Sequence, residues 1–145
     1  MTQNLLAPHY RPMTPNDQNF IYSTWLKSYR QMPANQNMSN DVFFHYHKQI
    51  VEKIINKSNV QVTMITDPTD ANHIYGYTVI EWCGSVPIIH YVYTKHTYRR
   101  LGLLSNLIKE LIPDFGQKTI FVTHESRHHK VFKAKFGLEY NPHLI

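Results

Sequence analysis

The spacing of apolar residues changes period several times along the chain, and each change marks an element. His9 to Met13 reads as a short strand, and Thr14-Pro15-Asn16-Asp17 as a helix start, with Thr as N-cap, Pro at the first helical position and an acid in the first turn. Ile21, Tyr22, Trp25, Leu26 and Tyr29 follow at helical spacing. Met32 to Asn40, with Pro33 and three asparagines, is a loop; Ser39 or Asn40 then caps a second helix whose Phe43, His47, Ile50 and Ile54 share a face. Val60, Val62 and Met64 alternate as a strand, Asp67-Pro68-Thr69-Asp70 turns the chain, and Ile74 to Trp82 and Val86 to Thr94 form a hairpin about Gly84-Ser85. Leu103, Leu104, Leu107, Ile108, Leu111 and Ile112 make the apolar stripe of a third helix that Pro113 ends. Thr119 to Thr123 is a fifth strand, Glu125 to Phe136 a basic fourth helix capped by Gly137, and Leu138 to Ile145 a last strand. The pattern predicts one α/β domain over residues 1–145, with no repeat or linker.

Composition narrows the class. Apolar residues at 42% and aromatics at 13% suit a packed core, and charged residues at 17% are too few for a disordered chain. Cys83 is the only cysteine, so an internal disulfide and a cysteine zinc site are excluded and a reducing cytoplasm is the expected compartment. No apolar run approaches the ~20 residues of a membrane span, and MTQNLLAPHYRP lacks the basic start and apolar stretch of a secretion signal. The net charge of +5 is unevenly placed. Residues 1–90 carry 6 Lys+Arg against 6 Asp+Glu, and residues 91–145 carry 9 against 4. The C-terminal third therefore suits a polyanion: the phosphates of a cofactor, or nucleic acid.

The chemistry concentrates in His90 to Asn106, HYVYTKHTYRRLGLLSN, where a strand ends in a basic, glycine-containing loop that opens into a helix. Such a junction aims unpaired backbone N–H groups and the positive end of the helix dipole at one point, and binds a diphosphate. Arg99 and Arg100 add charge, and Gly102 admits a close backbone approach. Neither Gly-x4-Gly-Lys-Ser/Thr nor Gly-x-Gly-x-x-Gly is present.

Arg99-Arg100-Leu101-Gly102-Leu103-Leu104 resembles the acetyl-CoA signature Arg/Gln-x-x-Gly-x-Gly/Ala of the GNAT N-acetyltransferase superfamily, with Tyr98 completing the common Tyr-Arg-Arg form and Leu104 departing from Gly/Ala. The order of elements is similar to the GNAT fold along nearly the whole chain. The HYVYTK to RRLG wording also looks like short acetyltransferases of tailed bacteriophages. The resemblance implies a mixed central sheet of about six strands flanked by about four helices. It further implies direct acetyl transfer from acetyl-CoA to a primary amine in a ternary complex, in the cytoplasm, or the host cytoplasm for a phage protein. Val92, Tyr93 and Thr94 would pair by their backbone with the pantetheine arm, and the loop through Leu101, Gly102, Leu103, Leu104 and Ser105 would hold the diphosphate.

His90 lies two residues before the pantetheine segment, where some small-amine acetyltransferases of the family carry a base. Regular alternation puts His90, Val92 and Thr94 on one face and brings Glu81 near it across the hairpin, where a carboxylate would orient the imidazole. The family's general-acid tyrosine is replaced by Lys133, and Ser126 takes the place of an asparagine near the start of the fourth helix. A strand histidine also serves as a satisfied core residue, and the missing tyrosine suits a second reading: a GNAT-like module without catalysis that binds nucleic acid through the basic third, or a partner protein. His45, His47, His124, His128 and His129 read as polar surface, and no metal is expected. Cys83 sits in the hairpin turn without a base. The acceptor, a small-molecule or protein amine, would enter beside Tyr29 to Asn40 and Tyr140 to Ile145, in a monomer or homodimer with no membrane contact.

Overall fold

The computed structural model describes residues 7–32, 35–114, 120–123, 138–141 and 144. The elements run β1 (His9–Pro12), α1 (Gln18–Arg30), α2 (Asn40–Ile55), β2 (Val60–Thr66), β3 (Ile74–Cys83), β4 (Val86–Thr94), α3 (Leu103–Leu111), β5 (Ile120–Val122) and β6 (Leu138–Tyr140). They form one α/β domain around a six-stranded mixed sheet in the order β1-β2-β3-β4-β5-β6. Strands β1 to β4 are antiparallel neighbours, and β4–β5 and β5–β6 are parallel. The fourth helix expected over 125–136, with Ser126 and Lys133, lies outside the described residues.

Several boundaries differ from the sequence reading for local reasons. Thr14-Pro15-Asn16-Asp17 folds first as a 3-10 turn over Pro15–Asp17, so α1 begins at Gln18. The Thr14 backbone N–H donates to Asp17 Oδ2 at 2.8 Å, and the Arg11 guanidinium forks onto the same carboxylate at 2.7 and 2.9 Å. Asp17 is thus buried with its charge satisfied, and the Arg11 bonds hold its pKa below the ordinary value. Of the two candidate caps for α2, Ser39 is the N-cap and accepts from the Val42 N–H. Strand β6 spans only Leu138–Tyr140 and does not run on to Ile145 as a single strand, because Leu144 sits in a short helical turn.

The sheet separates two apolar layers. On one face Val62, Val79 and Tyr91 lie in a row across β2, β3 and β4, as do Met64, Tyr77 and Tyr93, and these pack under α1 and α2. Trp25 of α1 stacks on Tyr91 with ring centroids 5.0 Å apart, and the Tyr91 hydroxyl meets the Ser28 hydroxyl. On the other face Ile80 and Ile89 meet Ile108 and Ile112 at the C-terminal end of the α3 stripe, while Ile65 and Tyr75 meet Leu103 and Leu107 at its start.

One irregularity reorders the site. Ile89 pairs with Ile80 but Tyr91 pairs with Val79, which leaves His90 as the extra residue of a β-bulge. The expectation that His90, Val92 and Thr94 share a face is therefore corrected. The bulge absorbs one residue and inverts the alternation, so Tyr91 and Tyr93 face α1 and α2 while Val92 faces α3.

Candidate active site

Among the described residues strand β4 pairs with β5 at Ile88 and Ile89, and the Thr123 N–H donates to the Ile89 carbonyl at 3.2 Å just past the end of β5. Beyond that point β4 continues through Val92, Tyr93 and Thr94 with no β5 partner among the described residues. A strand edge without a neighbouring strand offers backbone donors and acceptors to an extended ligand.

The strand leads into a short 3-10 turn, His96–Tyr98, and then the basic loop. Arg100 has φ +67° and Gly102, the N-cap of α3, has φ +76°. A Cβ on Gly102 would meet nothing closer than Asn106 Nδ2 at 3.9 Å, so what this position demands of glycine is the left-handed backbone. The N–H groups of Leu103, Leu104 and Ser105 fall in the first turn, where no carbonyl one turn back can accept them. Leu104 does not crowd the loop: it packs with Tyr98 against Ile65, Tyr75, Leu103 and Leu107. The Leu101 side chain is exposed.

Two devices fix the loop from below. Arg99 Nε donates to the Thr94 carbonyl at 3.1 Å, tying the loop back to the end of β4. Tyr98 stacks on Tyr75 at 4.2 Å and its hydroxyl lies 2.9 Å from His73 Nε2, while the Tyr75 hydroxyl donates to Asp67 Oδ2 at 2.8 Å. Bonds from the Thr69 hydroxyl, the Thr69 N–H and Tyr75 hold the Asp67 pKa down to about 2. The sequence reading missed His73 and Asp67 as supports, because an ordinary turn explains both.

Beside the end of β5 the structure brings together Glu81 and His90, as the hairpin suggested, and adds groups that the sequence did not reveal. His90 Nε2 lies 2.7 Å from Glu81 Oε1, and His90 Nδ1 lies 2.9 Å from Thr123 Oγ1. Lys57 Nζ donates to Glu81 Oε1 at 3.1 Å and Asn59 Nδ2 donates to Oε2 at 3.3 Å. The side chain of His90 is fully buried and that of Glu81 nearly so. Burial alone would raise the Glu81 pKa, but bonds from His90, Lys57 and Asn59 and the Lys57 charge hold it at about 2. Burial lowers the His90 pKa against the opposing pull of Glu81, so the ring is neutral at pH 7. Beside an ionised Glu81 its proton belongs on Nε2, leaving Nδ1 as the basic atom.

Cys83 closes β3 rather than lying in the turn, and its Sγ sits 3.6 Å from Glu81 Oε2. Desolvation and the Glu81 charge raise its pKa, which keeps it a thiol. Among the described residues no three His, Cys, Asp or Glu side chains converge as a metal would need, and no helix is long and apolar enough to cross a membrane.

No family model matches the sequence, and no curated protein does. Solved structures do match in shape. A Pyrococcus furiosus protein described as an acetyl transferase is similar at a TM-score of 0.62, with 15% identity over 88% of this chain and 91% of its own. A predicted acetyltransferase from Clostridium acetobutylicum, solved with acetyl-CoA, has a TM-score of 0.59 and 16% identity over 95% and 94%. An acetyltransferase of the GNAT family from Staphylococcus aureus has 0.50 and 14% over 74% and 64%. The fold is GNAT-like. At these identities the likeness establishes architecture, and the chemistry rests on the residues of this chain.

Proposed function

We propose that this protein is an N-acetyltransferase that moves an acetyl group from acetyl-CoA to a primary amine by direct transfer in a ternary complex. The observation that carries the reading is the conjunction of a β4 stretch, Val92 to Thr94, with no β5 partner among the described residues and a left-handed, arginine-bearing loop at the start of α3. The residues fit the ligand. The backbone of Val92, Tyr93 and Thr94 would pair with the pantetheine arm, and Arg99, Arg100 and the N–H groups from Leu101 to Ser105 would take the diphosphate. The cosubstrate supplies the activated acetyl group as a thioester; the chain supplies alignment of that thioester with the amine.

His90, oriented by Glu81, is the proton acceptor in this reading. The group beside Cys83 is the Glu81 carboxylate, too weak a base with its pKa held at about 2 and a charge that helps raise the thiol's own pKa, which weighs against an acyl-cysteine route. In this reading Lys133 would donate a proton, hold the acceptor's charge or touch the phosphates, and Ser126 would bond the pantetheine. A phage-type origin rests on the HYVYTK to RRLG wording alone.

The substitution of Lys133 for the family's tyrosine favours a second reading, a non-catalytic module that binds nucleic acid or a partner protein. Calorimetry with acetyl-CoA separates them. Saturable binding abolished by Gly102→Glu supports the transferase, while no heat together with a salt-sensitive gel shift on nucleic acid supports the module.

A further inference from the structure

The turn between β2 and β3 reaches the arginine loop through Tyr98. Asp67 opens that turn, accepting from the Thr69 N–H and hydroxyl at 2.8 and 2.6 Å, and its own N–H donates to the His73 carbonyl at 2.9 Å. The His73 ring stands edge-on to Tyr75 and Tyr98, at centroid distances of 5.2 and 5.8 Å, while those two rings stack on each other. His73 Nδ1 faces Asp67 Oδ2 at 3.9 Å, and Nε2 lies 2.9 Å from the Tyr98 hydroxyl. Beside an ionised Asp67 the proton of the neutral ring belongs on Nδ1, so Nε2 accepts from the Tyr98 O–H. The Tyr98 ring also packs against the cluster of Leu103 and Leu107 at the start of α3, and the left-handed residues Arg100 and Gly102 follow it two and four places on. With 42% of its side chain exposed, His73 adds little buried area; its contribution is to fix where the Tyr98 hydroxyl, and with it the ring, can sit.

We propose that His73 is a positioning residue for the cosubstrate: acting through Tyr98, it holds the loop from Arg99 to Ser105 in the form that receives the diphosphate. The inference rests on the transferase reading and deepens it, because it assigns part of the affinity for acetyl-CoA to the β2–β3 turn. A loop with left-handed residues at Arg100 and Gly102 is not held in that form by local preference alone. A loop that occupies its binding form for only part of the time binds more weakly by that fraction. One neutral hydrogen bond is worth enough to move such a population roughly 2- to 10-fold. The effect belongs to the diphosphate end of the ligand, since Tyr98 packs against the first turn of α3.

The test compares wild type with His73→Leu, which removes the acceptor, Tyr98→Phe, which removes the donor and keeps the ring, and His73→Gln, which keeps a side-chain acceptor. Calorimetry with acetyl-CoA should show Kd raised roughly 2- to 10-fold in the Leu and Phe variants, no further in the double variant because both remove one bond, and largely restored in the Gln variant. In ³¹P NMR of the saturated complexes, the diphosphate signals should move toward those of free acetyl-CoA in the Leu and Phe variants, while the 3′-phosphate signal stays in place. A folded Leu variant with wild-type Kd and wild-type diphosphate signals overturns the positioning role. Equal movement of all the phosphorus signals, losses that add in the double variant, or a Gln variant as weak as Leu each does the same, since each marks a general loss of fit. Wild type that binds no acetyl-CoA overturns the transferase reading beneath it. If His73→Leu fails to fold, Tyr98→Phe removes the same bond from its other end, and its Kd and diphosphate signals decide.

Discussion

Gly76 and Tyr93 face each other so closely across β3 and β4 that a Cβ on Gly76 would stand 2.2 Å from the Tyr93 carbonyl oxygen. Nothing at that distance yields except backbone. Gly76→Ala must push Tyr93 aside or twist β3, at a cost on the order of 1–3 kcal/mol for an overpacked site. Denaturant unfolding should show the lower midpoint. Because Tyr93 lies on the stretch of β4 proposed to hold the pantetheine arm, acetyl-CoA affinity should weaken with it.

Gly102 behaves differently, since its surroundings are open and only its φ of +76° resists substitution. Gly102→Ala should destabilise by about 1–2 kcal/mol, the cost of a left-handed backbone for a residue with a Cβ. Gly102→Asn should cost less, because asparagine tolerates this region. Equal losses for Ala and Asn in thermal unfolding would show that space, not backbone conformation, governs the position.

The contrast between these two glycines shows what the chain discloses in one dimension. Gly102 was legible because it stands between a strand and an apolar stripe of period 3.6, and the stripe from Leu103 to Ile112 packs as that period requires. Gly76 carried a weaker signal, an isolated glycine within a strand, that points to close backbone approach without saying to what. The hairpin turn at Gly84-Ser85 correctly brought Glu81 to His90, since register is counted outward from a turn. The bulge broke that count. An inserted residue leaves no mark in an alternation pattern, so the faces of Tyr91, Val92 and Tyr93 came out inverted, and Thr123, thirty-three residues from His90, lay beyond any local rule.

Arg99 and Arg100 should separate charge from conformation. Both would meet the diphosphate in the proposed reading, but Arg100 has φ +67° and Arg99 has an extended backbone and bonds the Thr94 carbonyl. Arg100→Gly relieves about 1 kcal/mol of backbone strain that offsets the entropy of an added glycine, leaving stability nearly unchanged. Arg99→Gly gains no such relief and should destabilise by about 1 kcal/mol. Both should weaken acetyl-CoA binding, most at low salt. An Arg100→Gly variant as destabilised as Arg99→Gly in thermal unfolding would contradict this assignment of strain.

Acid should unfold the protein in two stages, both set at the junction of β3, β4 and β5. Burial lowers the His90 pKa below its ordinary 6.5, so as pH falls through that value the unfolded chain takes the proton first and stability drops. Glu81, held at about 2 against an ordinary 4.5, contributes stability that is complete above about 4.5 and is lost as pH falls from there toward 2. Asp17 and Asp67, also lowered, add to the second stage. The melting temperature should therefore decline gently from pH 7 to 5 and steeply below 4.5. His90→Gln keeps an amide between Glu81 and Thr123 but cannot titrate, so its melting curve should be flat over the first interval and wild-type in slope over the second. Glu81→Gln should soften the fall below pH 4.5 to the part that Asp17 and Asp67 set, starting from lower stability because Lys57 is left without its carboxylate. A wild-type melting temperature that holds constant or rises between pH 7 and 5 would show that His90 is not neutral in the fold, and would remove its Nδ1 as the basic atom of the site.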